Sequence, residues 1–298
     1  MPDERSRVLA TMLARSPDGA NAGDAIDERA DRSSAPLSFP QRRLWFLDQL
    51  AAGSPFYVEA AAIEIPVAVR RRALERSIDA VVARHEILRT TFDTVEGEPV
   101  QRIAPSGHVP LPLVDLSADD PAAQRRTVTA LAAELAGTPF DLGRGPLVRA
   151  TLVRRRPDAH VLLLAVHHIV TDGWSMQVFG REVSALYTSL LAGAPVALPD
   201  LPIQYADFAV WQRRAEHEAL FDDELGYWRT QLDGLEPLAL PLDHARPSVL
   251  GYQGSQHDFV VPAGPPPSPP TTTSRCRSSG WWRRSTRCAT SVGTRCSR

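Results

Sequence analysis

Two adjacent histidines, His167 and His168, followed by Asp172 and Gly173, are the residues in this chain best suited to chemistry. Imidazole has an unperturbed pKa of about 6.5, so either ring could move a proton near neutrality. The competing reading is a neutral core pair, since His is often half-buried for reasons unrelated to activity. A carboxylate at Asp172 could fix a ring tautomer or hold its loop through an Arg. A metal site is a third reading, but adjacent strand histidines diverge and no cysteine lies nearby.

The elements that must position these groups are legible on both sides. Val161–Val166 is an unbroken apolar run, too short to span a membrane, and reads as a strand buried on both faces. Side chains alternate along a strand, so one histidine faces the interior and the other an opening. Asp172-Gly173 is a turn signal. From Ser175 the spacing of Phe179, Val183, Leu186, Tyr187 and Leu190 predicts an amphipathic helix that ends at Gly193 and Pro195. The unit is strand, histidine pair, tight loop, helix.

His-His-x-x-x-Asp-Gly, filled by His167, His168, Asp172 and Gly173, resembles the active-site motif of the condensation domains of nonribosomal peptide synthetases. A wider superfamily of acyltransferases similar to chloramphenicol acetyltransferase shares it. Three further stretches, Leu37–Leu47, Arg84–Phe92 and Tyr205–Gln212, resemble the first, second and fourth blocks of that domain, in the same order and at similar spacing. The resemblance covers about residues 36–262. The Arg42-Arg43-Leu44-Trp45 core of the first block resembles the subtype that accepts an L-configured donor.

Hydrophobic periodicity predicts helices over 41–50, 69–84, 121–137, 203–212 and 224–232, and strands over 60–66, 88–92, 100–103, 111–115 and 255–261. Leu74, Ile78, Val81 and Val82 form one inner stripe; Phe208, Trp211, Leu225, Trp228 and Leu232 are expected to face inward. Strands 147–154 and 160–167 are joined by a hairpin signal at 155–159. The mixture predicts an α/β sandwich with a mixed sheet rather than a doubly wound parallel one, which agrees with the two-lobe architecture the resemblance implies. Arg84, Glu86 and Arg89 are expected to hold a helix–strand corner through charge-assisted hydrogen bonds.

The division expected is a short helix and linker over 1–36, a first lobe with the motif over 37–174, the start of an incomplete second lobe over 175–262, and a disordered tail over 263–298. Val8, Leu9, Met12 and Leu13 have helical spacing, but so short a helix is marginal alone; it reads equally as a docking segment or a frayed terminus. The tail opens with five prolines in six positions (265–270), holds all three cysteines and seven Arg, and has no acid. The expected origin is a frameshift in the coding sequence; a basic tail that binds an acidic partner is the alternative.

The chain has 298 residues, 43% hydrophobic, and no lysine; residues 1–262 carry 26 Arg against 35 acids, a balance of −9. An acidic body argues against nucleic acid as partner. No apolar run reaches membrane-spanning length and no signal-peptide pattern opens the chain, so a soluble, cytoplasmic protein is expected, without disulfides in its body.

The resemblance implies amide formation: an acyl or peptidyl thioester on the phosphopantetheine arm of an upstream peptidyl carrier protein is attacked by the amine of an aminoacyl group on a downstream one. Adenylation domains are implied as neighbours, with no cofactor or metal bound by the chain itself. His168 is the expected proton acceptor or amine-orienting group, His167 a structural residue, and Asp172 a brace. Gly173 is expected to leave room for substrate, with its N–H toward the developing oxyanion. The alternatives are an epimerisation domain, a free-standing acyltransferase using coenzyme A thioesters, and an inactive fragment.

Overall fold

The computed structural model describes residues 25–195, 198–236 and 238, without the side chains of 215–221 and 223. In chain order the elements are β1 (Ser34–Pro36), α1 (Phe39–Leu50), β2 (Val58–Ile65), α2 (Arg71–Arg84), a 3-10 turn (Glu86–Arg89), β3 (Thr90–Val95), β4 (Glu98–Ile103), β5 (Leu113–Asp115), α3 (Pro121–Gly137), β6 (Val148–Arg156), β7 (Ala159–His167), α4 (Gly173–Ala192), α5 (Tyr205–Gln212) and α6 (Ala215–Leu232).

Two sheets result. The larger has the order β2-β7-β6-β5, antiparallel except for the parallel β5–β6 pair; the smaller, β1-β4-β3, is antiparallel. The expectation of a mixed-sheet α/β fold therefore holds. β7 lies between β2 and β6 and is buried from His160 to His167, as the unbroken apolar run requires.

The parity of β7 assigns its two faces. Leu162, Leu164 and Val166 join the core cluster that contains Leu74, Ile78, Val81 and Val82 of α2 and Phe179 and Val183 of α4. Val161 and Leu163 pack instead with Val128, Leu131 and Leu135 of α3. Helices therefore cover both faces of the larger sheet, and the even-numbered β7 positions point to the α2 and α4 side.

Three expectations change. Residues 25–36, read as linker, are anchored: Arg29 is 8% exposed, its guanidinium donates to Asp207 Oδ1 at 2.7 Å and bonds Glu86, and Ser34–Pro36 pairs with β4. Two carboxylates far along the chain supply the charge that a composition-based reading could not assign to this segment. The boundary between 174 and 175 has no counterpart, because the described residues up to Glu236 belong to one compact unit and α4 packs along α2. The inward face assigned to α6 is outward: Leu225, Trp228 and Leu232 are about half exposed. Helical amphipathicity gives a face but not the neighbour that covers it.

The strand expected over 88–92 starts two residues later and runs on to Val95. Glu86–Arg89 turns as a 3-10 helix before β3 begins at Thr90, a short apolar run that periodicity alone cannot assign. The segments 1–24 and 239–298, which include the N-terminal helical spacing, the 255–261 strand and the tail, lie outside the described residues. Among the described residues no helix is long and apolar enough to cross a membrane.

Candidate active site

Where β7 runs out, parity separates the two histidines. His167 continues the odd-numbered face and is 2% exposed; its ring meets Phe140 edge-on, with centroids 6.1 Å apart. Its Nδ1 accepts the Ile169 N–H at 3.1 Å, so the neutral ring carries its proton on Nε2. Burial, then the nearby His168, pushes its pKa down to about 4.

This shift has a testable sign. The folded-state pKa lies below the unfolded one, so the unfolded chain takes up a proton that the native chain refuses between pH 6.5 and about 4. The stability from His167 is complete above that window and is lost as pH falls through it, amounting to about 3 kcal/mol. Denaturant titrations at intervals from pH 7 to pH 4 will show this component in the wild-type slope and lack it in His167→Gln.

His168 occupies the other face. Its side chain is 39% exposed and lines a cavity of about 510 Å³, which His167 does not reach. The backbone N–H of His168 donates to the Tyr57 carbonyl at 2.8 Å, and the Tyr57 ring lies parallel to the imidazole within 6°, at 6.5 Å. Glu59 Oε1 sits 2.7 Å from His168 Nδ1, off the line of a formed hydrogen bond.

The same cavity gathers the separated sequence blocks. Pro40, Gln41 and Leu44 come from the first, His85, Ile87 and Leu88 from the second, and Tyr205 from the fourth. Ser38 Oγ and Tyr205 Oη share a hydrogen bond at 2.9 Å, and burial pushes the Tyr205 phenol up. His85 is held at 2.7 Å by Glu182, which also receives Arg84 Nε at 3.3 Å. Of the three charged residues expected to hold the corner, Arg84 bonds Glu182 of α4, Glu86 bonds Arg29 across the chain, and Arg89 lies 3.9 Å from Glu86. A volume of several hundred Å³ suits a small organic group.

Among the described residues Asp172 does not brace its loop through an Arg. It is the N-cap of α4, accepting from Ser175 N at 2.7 Å and Ser175 Oγ at 2.6 Å, and among the described residues no guanidinium pairs with it. A hydroxyl three residues on reaches the cap with less chain to order than a distant Arg would need. These donors, the Ser175 hydroxyl first, hold the carboxyl below its usual range. Asp172→Ala is expected to lose about 1 kcal/mol in denaturant unfolding, and Asp172→Asn to retain most of it.

Gly173 opens α4, and a Cβ added there would meet nothing within 4 Å. Protein packing therefore does not demand glycine here; the position borders open space. Trp174, beside it, is 73% exposed at the cavity. No group of three or more His, Cys, Asp or Glu among the described residues has metal-binding geometry. Sequence reasoning misses Tyr57, Glu59, His85 and Tyr205. For His85 and Tyr205 a signal exists, since both belong to the matched blocks; for Glu59 there is none.

A family profile described as Condensation domain matches residues 31–273, beginning inside the anchored N-terminal segment. Chondramide synthase cmdD of Chondromyces crocatus is 42% identical over 229 residues, 77% of this chain and 6% of the relative. Phosphinothricin tripeptide synthetase PhsC of Streptomyces viridochromogenes is 42% identical over 261 residues, 87% of this chain and 24% of the relative. The solved X-domain from teicoplanin biosynthesis superposes with TM-score 0.66 at 32% identity, covering 76% of this chain and 49% of that one. The starter condensation domain of rhizomide synthetase RzmA, at 22% identity and TM-score 0.62, covers 68% and 49% and agrees in fold. The chain spans a small part of the curated relatives and about half of each solved chain. With one cavity uniting all four sequence blocks and a profile matching most of its length, the chain belongs to the condensation-domain family.

Proposed function

We propose that the chain serves amide formation in a nonribosomal peptide synthetase, with His168 as the group that meets the attacking amine. The observation that carries this reading is the half-exposed His168 ring in the wall of the 510 Å³ cavity, with its predecessor sealed behind the sheet. The amine nitrogen bonds to the thioester carbonyl carbon, the amine proton passes to His168, and the carbon–sulfur bond breaks. The departing thiolate, a stronger base than the imidazole, takes the proton back.

An α-amino group has a pKa of about 7.7–8.0, so part of it is already neutral near pH 7, and orientation supplies much of the rate. The N–H of Gly173 faces the developing oxyanion with the helix N-terminal dipole behind it, while the Ser175 N–H is taken by the Asp172 cap. Asp172 acts through α4, keeping its first turn beside His168. No cofactor enters this scheme; both substrates arrive on phosphopantetheine arms of carrier proteins, with adenylation domains as neighbours in a cytoplasmic assembly.

The test is a product assay with an acyl or peptidyl carrier thioester and an aminoacyl carrier thioester, run on the chain as it stands and on one joined to the remaining half of a related domain. Amide from carrier-bound substrates supports the proposal. Product from coenzyme A thioesters alone would reassign the chain to free-standing acyltransferases. Because the chain spans about half of each of the two solved relatives, and α6 exposes an apolar face, turnover is expected in the completed protein and little in the chain alone.

A further inference from the structure

We propose that Glu59 is a positioning residue that holds the neutral His168 ring as its Nδ1–H tautomer and so presents the Nε2 lone pair to the cavity. This rests on the reading of His168 as the group that meets the amine. Glu59 pairs across the sheet with Val166, which places its side chain on the same face as Val166 and, two residues on, His168. Its Oε1 lies 2.7 Å from Nδ1. That nitrogen is shielded from solvent and, among the described residues, has no formed hydrogen bond, with Glu59 the acceptor in reach.

The argument turns on what two atoms can do at that distance. A carboxylate oxygen is an acceptor; if Nδ1 also presented a lone pair, two acceptors would face each other at 2.7 Å. The contact is favourable only when the proton sits on Nδ1, and a small rotation of either half-exposed side chain aligns it. The neutral ring then has a free lone pair on Nε2, the nitrogen that takes the amine proton. Tyr57 also adjoins His168, through its carbonyl on the His168 N–H and a ring parallel to the imidazole at 6.5 Å. His167 adopts the opposite tautomer, because its Nδ1 accepts the Ile169 N–H. Two consecutive histidines therefore carry their protons on different nitrogens.

The experiment is a long-range proton–nitrogen correlation spectrum of the full chain labelled with nitrogen-15 histidine, recorded on the neutral rings and assigned with His168→Gln. The expected result is Nδ1–H for His168 and Nε2–H for His167. Glu59→Ala should shift His168 to the Nε2–H form that an unconstrained imidazole prefers, with the His167 signal unmoved as a check on folding. Glu59→Gln, whose amide oxygen still accepts, should restore Nδ1–H. An Nε2–H His168 in the wild type, or an Nδ1–H form that survives Glu59→Ala, overturns the proposal. The readout needs no turnover, so its failure leaves the amide-forming reading standing, and failure of the product assay leaves the tautomer result standing.

Discussion

Replacing His168 by alanine lowers amide formation 10²-fold or more in a completed domain, while cavity and fold persist. The magnitude follows from general acid–base catalysis, which typically contributes about 10² to 10⁴ in rate. The loss should fall on kcat more than on KM, because the ring contacts the reacting nitrogen rather than the distant parts of the substrates. His168 is half-exposed and outside the packed core, so its truncation leaves no sealed cavity behind. Unaltered turnover in His168→Ala would show that positioning alone carries the reaction and would remove the ring from the mechanism. His167→Gln makes the complementary comparison, since its main readout is acid stability rather than rate.

Replacing Arg29 by alanine destabilises the fold by about 3–5 kcal/mol, the usual consequence of removing one partner from a buried ion pair. The guanidinium is 3% exposed and lies between Glu86, 12% exposed, and Asp207, fully buried. Burial on its own pushes the Asp207 carboxyl up; N–H donors from Gln204 and Arg29 overcome it and hold the group below its usual range. Without Arg29 the two carboxylates keep only more distant cations among the described residues, Arg32 at 3.9 Å from Asp207 and Arg89 at 3.9 Å from Glu86. Chemical denaturation of Arg29→Ala against wild type measures the difference. A change under 1 kcal/mol would mean that water or Arg32 replaces the lost charge. The double variant Arg29→Met, Asp207→Leu is expected to recover part of the loss, because it removes the more deeply buried of the two stranded carboxylates and leaves Glu86.

Much of the site-bearing scaffold can be read because it is periodic. The β6–β7 hairpin, the α2 stripe and α4 each repeat an apolar face over several turns or pleats, and the period places each to within a few residues. For the histidines the sequence shows only that strand alternation sends the two side chains to opposite faces. The choice of His168 comes from the resemblance to the condensation-domain motif, because a strand buried on both faces does not say which ring meets an opening.

What escapes lies in pairings that leave no local trace. Arg29, Glu86 and Asp207 are far apart in the chain, and each alone resembles a solvated charge. Glu59 sits in Val58–Ile65, where three consecutive alanines blur the alternation and hide which face it occupies. Among the described residues the partner of Asp172 is Ser175, a helix cap within three residues, rather than the expected Arg. For α6 the reason is different, since a correct helical period carries a wrong inference about what packs on it.

The contact between Arg29 and Asp207 bridges 178 residues. While the chain emerges from the ribosome, Arg29 can meet Glu86 and β1 can pair with β4 early, but the fixing of that N-terminal arm waits until Asp207 has left the exit tunnel. The clasp that completes this unit is therefore among the last to close during synthesis, and a nascent chain halted before residue 207 carries an arm that proteases can still reach.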